Sequence, residues 1–105
     1  MMSSRESAEE NFDKSFQVSR NKKELVIFAK GNFEISRGNF LKARKNFRTA
    51  REIKKNFGGA WLAEADVLVR LKKTKEAIAL LKQYLKLRPE DNNASAMVLK
   101  LSQGL

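Results

Sequence analysis

From about Lys22 onward, apolar residues return every three or four positions, which is the spacing of one face of an α-helix. Leu25, Phe28, Ala29, Phe33 and Ile35 mark a first helix ending near Ser36, and Gly38-Asn39 supplies a turn. Phe40, Ala43, Phe47, Ala50 and Ile53 continue the same rhythm in a second helix. Gly58-Gly59 is expected to break the chain before a third helix over roughly Ala60 to Leu71, carrying Trp61, Ala65, Leu68 and Leu71. Thr74 is placed to cap a fourth helix through its hydroxyl, with Ala77, Leu80, Leu81, Tyr84 and Leu87 on its apolar side and Arg88-Pro89 at its end. Asp91 caps a last helix whose Ala94, Met97, Val98, Leu101 and Leu105 fall on one side. The expectation is an all-α chain of about five helices, arranged as two helical hairpins and a single closing helix.

The rhythm also repeats at a longer distance. Gly31, Ala43, Phe47 and Ala50 are matched 34 residues later by Ala65, Ala77, Leu81 and Tyr84. Trp61 and Pro89 stand where a hairpin of that length wants a large aromatic and a helix breaker. Small residues at Gly31, Ala43, Ala65 and Ala77 let two helices approach closely, and Phe47, Trp61 and Leu81 fill the space left beside them. On these residues the two hairpins, over residues 24–91, resemble tetratricopeptide repeats. The first has Ile27 for the early aromatic and Lys55 for the terminal proline, and the second has Tyr84 for the late alanine. The resemblance implies an α-α superhelix, a stack of helical-hairpin repeats, with residues 21–91 as the two hairpins and residues 92–105 as a capping helix. It also implies a non-enzymatic scaffold or adaptor.

Composition narrows the chemistry. The chain has no Cys and no His, so thiolate or imidazole metal sites and the usual nucleophile–base pairs are excluded. Glu64 and Asp66 are two apart and point to different sides of a helix, and Gly58-Gly59 lacks the Lys-Ser/Thr of a phosphate loop. No enzyme activity, cofactor or metal is expected. No apolar stretch approaches the ~20 residues that span a bilayer, and the acidic start is unlike a secretory signal, so the expected location is cytoplasmic. Residues 1–20 are polar and are read as a flexible tail in which Phe12 and Phe16 share a helical face. Residues 1–19 carry a net −2, from Arg5 and Lys14 against Glu6, Glu9, Glu10 and Asp13; with +10 for the whole chain, the rest holds +12. A body that basic attracts polyanions of any kind.

Two surfaces and one end follow as candidates. By the family resemblance, the first helix of each hairpin lines a concave groove. That places Leu25, Phe28, Asn32 and Ile35, with Ser36, in the groove from the first hairpin, and Leu62, Asp66, Val69 and Arg70 from the second, with Ala96 and Lys100 beyond. Asn32 matches one position of the carboxylate clamp of chaperone-binding members, but Phe28 replaces the clamp lysine and Asp66 opposes an anion, so a C-terminal carboxylate ligand is not expected. An amphipathic helix or an extended apolar peptide of a partner protein suits this groove better. Arg44, Arg48, Arg51 and Lys55 recur at i, i+4, i+7 and i+11, widened by Lys42, Lys45 and Lys54, and form a basic stripe. It suits an acidic complex or a ribonucleoprotein, with nonspecific nucleic-acid contact as the ceiling because few aromatics are free to stack on bases. Leu99 lies off the apolar side of the last helix and makes that helix a candidate for homo-oligomer contacts.

Overall fold

A computed structural model describes residues 23–104. Among these described residues five helices follow one another: α1 (Lys23–Ser36), α2 (Phe40–Ile53), α3 (Gly58–Arg70), α4 (Thr74–Leu87) and α5 (Asn92–Gln103). There is no strand among the described residues, and each helix packs chiefly on its neighbours in the chain. The expected all-α helical repeat stack is what the chain forms. The tail with Phe12 and Phe16, and Leu105, lie outside the described residues.

Isolated helices of this length are marginal in water, so packing must hold them. Ala43, Phe47 and Val67 are fully buried and form one core cluster, with Phe28, Ile35, Phe40, Ala63 and Leu71 packed against it. Trp61, Ala65, Leu68, Ala77, Leu80, Leu81, Tyr84 and Ala94 form a second, on which Met97, Val98 and Leu101 of α5 rest. The small residues do what their spacing implies. A Cβ built on Gly31 would stand 2.5 Å from Cε1 of Phe47, so only glycine admits the buried ring there.

Both hairpins turn in the same way. The amide of Asn39 donates to the carbonyl of Glu34, and the amide of Lys73 to that of Leu68, at 2.8 and 2.7 Å. Gly38 and Lys72 occupy the left-handed position of these turns, with φ of 76° and 66°. The 34-residue period therefore extends to the backbone, although the second copy puts a lysine where glycine costs less.

Two local expectations are corrected. Gly58-Gly59 does not interrupt the helix but forms its first turn, because a side chain at Gly58 would run into the hydroxyl of Tyr84. Thr74 is the first residue of α4 rather than its cap; Lys73 holds the cap position and no side chain accepts a hydrogen bond there. Asp91 does cap α5, accepting from the amide of Ala94 at 3.1 Å.

Candidate functional site

The expected groove residues divide into anchored and free. Phe28 is half-buried, its ring centroid 5.3 Å from Phe47 and 5.1 Å from Phe57, so it belongs as much to the first core cluster as to any surface. Ile35 rests on the same cluster, and Leu62 and Val69 rest on the second. Leu25, at 42 % exposed, and Asn32 are the open members on α1. On α3, Nε of Arg70 donates to Oδ2 of Asp66 at 3.1 Å, one turn apart, and the guanidinium carbon lies 5.7 Å from the centroid of the Phe40 ring. Both side chains of that pair are about half exposed, so the contact is exchangeable with solvent or a ligand. Of these residues Leu25 and Asn32 are exposed, Phe28, Leu62 and Val69 keep part of their apolar surface uncovered, and Asp66 and Arg70 pair with each other.

The basic stripe is divided by α3. Nε of Arg51 donates to Oε1 of Glu64, which is buried, and Nε of Arg44 stands 3.7 Å from the other oxygen of that carboxylate. Arg51 also lies over Trp61, with 4.7 Å from its guanidinium carbon to the ring centroid, while the Trp61 indole N–H donates to the carbonyl of Lys55. Arg44 reaches Glu76 of α4 as well, at 3.5 Å. Arg44, Arg48, Arg51, Glu64 and Glu76 line an open cavity of about 380 Å³ between α2, α3 and α4. Arg48 pairs with Glu52 on its own helix, and Lys55 lies past the helix end at Ile53. Four cations at helical spacing are therefore not one open face: Arg44 and Arg51 tie one hairpin to the next. Glu64 is not half of a carboxylate pair; its place beside Trp61 and Ala65 on an apolar face is the sign of its burial in the sequence.

A second polar knot closes the other end of the hairpin. The hydroxyl of Tyr84 donates to Oδ2 of Asp91 at 2.6 Å. Burial, together with the hydrogen bond to Asp91, pushes the Tyr84 phenol up to about 12. The same bond from Tyr84, supported by backbone amides of Ala94 and Asn93, holds the Asp91 carboxyl below its ordinary value.

Among the described residues, no group of three His, Cys, Asp or Glu side chains could hold a metal ion. No helix among them is long and apolar enough to cross a membrane. The tetratricopeptide repeat family model matches residues 34–101. No curated protein matches the chain in sequence.

Proposed function

We propose, since the chain belongs to the tetratricopeptide repeat family, that it is an adaptor binding a peptide or helix of a partner protein along the row from Leu25 to Arg70. Members of this family are generally protein–protein interaction modules. The observation that carries the reading is the composition of that row: apolar side chains only half covered, spaced by exposed or half-exposed Asn32, Asp66 and Arg70. Apolar contact supplies affinity, and the polar markers set register. Asp66 favours a ligand with a basic residue opposite it. The test uses a peptide selected from a random display library against the full chain. Leu25→Glu with Asn32→Glu changes only exposed residues, so the fold persists, and affinity falls by about tenfold or more. An unchanged affinity would sink the groove assignment.

A second reading has its own support. Lys42 and Lys45 on α2, and Lys75, Lys82 and Lys86 on α4, are exposed and have no acidic partner among the described residues. Attraction to an acidic complex or to nucleic acid then rests on these lysines more than on Arg44 and Arg51. Heparin or RNA retention should fall steeply with salt, and changing Lys75, Lys82 and Lys86 to Gln should reduce the salt slope by about three phosphate contacts. A slope that is flat from the start contradicts it.

A further inference from the structure

The face by which α3 docks on α2 recurs 34 residues earlier on α1, where it is open. Ala60 is fully buried and its counterpart Val26 half-buried; Ala63 is half-buried and its counterpart Ala29 exposed. Val67 is fully buried beside Ala43 and Phe47, whereas its counterpart Phe33 is 56 % exposed. The guanidinium of Arg37 lies 5.6 Å from the centroid of that ring. The charged position is reversed. Glu64, buried under Arg44 and Arg51, corresponds to Lys30, which is exposed and has no acidic partner among the described residues.

We infer that this face of α1 docks an amphipathic helix of a partner protein that carries carboxylates on either side of an apolar centre. The occupant follows from the way α2 sits on α3. There, Phe47 fills the apolar centre, and Arg44 and Arg51, one turn to either side, converge on Glu64. On α1 the apolar centre is kept by Val26, Ala29 and Phe33 and the charge is inverted, so the complementary helix places acids where α2 has arginines. A nucleic-acid backbone would meet the charge of Lys30 but leave Phe33 in water. This site is separate from the groove: Leu25, Asn32 and Leu62 take no part in it.

The experiment measures binding of two synthetic peptides to the full chain at low salt by fluorescence anisotropy. Both cover residues 39–57 of this sequence; one is unchanged and the other carries Arg44→Glu and Arg51→Glu. The acidic peptide should bind about fivefold tighter or better, Lys30→Glu in the chain should invert the order, and Phe33→Asp should abolish both. Both chain positions are exposed, and circular dichroism checks that each variant keeps its helices. Equal binding of the two peptides, or binding that survives Phe33→Asp, overturns the inference. So does a rise of more than about tenfold in the chain variant Phe12→Ser/Phe16→Ser, which would make the chain's own N-terminal segment the occupant. A concentration-dependent dimer that Phe33→Asp dissolves would assign the face to a second copy, and also overturns it.

Discussion

Gly38 and Lys72 are 34 residues apart, hold the same left-handed backbone and close the same kind of turn, yet only one is a glycine. A side chain in that conformation costs about 1 kcal/mol. Lys72→Gly should therefore raise the unfolding free energy by about 1 kcal/mol and Gly38→Ala lower it by a similar amount, read from urea midpoints at constant slope. Neither position touches the core, so the two effects should add. Tyr84 offers a pH test, and as the only tyrosine its phenolate absorbance is unambiguous. Its pKa in the folded chain, about 12, lies above the ordinary 10.0, so its contribution is fully present below pH 10 and is lost as pH rises through 12. Asp91 has the opposite sign: its lowered pKa stabilises above the usual carboxyl range and is lost in acid. Stability of the wild type should fall more steeply from pH 10 to pH 12 than that of Tyr84→Phe; parallel curves would contradict the buried hydrogen bond.

The helices themselves were legible because their apolar residues follow a single period. The ends at Ser36 and Ile53 and the start after Asp91 agree with the sequence reading, whereas Gly58-Gly59 was misread because glycine has two uses. Its lack of a side chain makes room for Tyr84, a contact with a residue far along the chain that local turn chemistry does not contain. The same limit applied to Arg44 and Arg51. Their spacing on α2 was visible, but their partner Glu64 belongs to another helix. Glu64 is buried, while the two arginine side chains are 27 % and 17 % exposed, so the consequences of removing either partner are unequal. Arg51→Ala leaves a buried carboxylate with a weaker partner and should cost about 3 kcal/mol. Glu64→Leu leaves arginines that can swing into water and should cost less, about 1 kcal/mol. Thermal denaturation of the two variants decides the order, and a larger loss for Glu64→Leu would show that the carboxylate is not the constrained partner.

The stack as a unit is asymmetric at its ends. On α5 the counterparts of Trp61, Ala65 and Leu68 are Ser95, Leu99 and Ser102, and Leu99 is 62 % exposed where its earlier equivalents, Gly31 and Ala65, are buried. A leucine there holds a neighbouring helix farther off than glycine or alanine would. The proposed groove rests on the repeat register, since exposure of Leu25 and half-burial of Phe28 depend on how helices lean on one another. The decisive experiment is backbone amide chemical-shift mapping of the full chain with a peptide ligand selected from a random library. Shifts concentrated at Leu25, Asn32, Leu62, Asp66, Val69 and Arg70 are the predicted result. Shifts confined to α2 and α4, around Lys45 and Lys82, with that row unperturbed, would contradict the account.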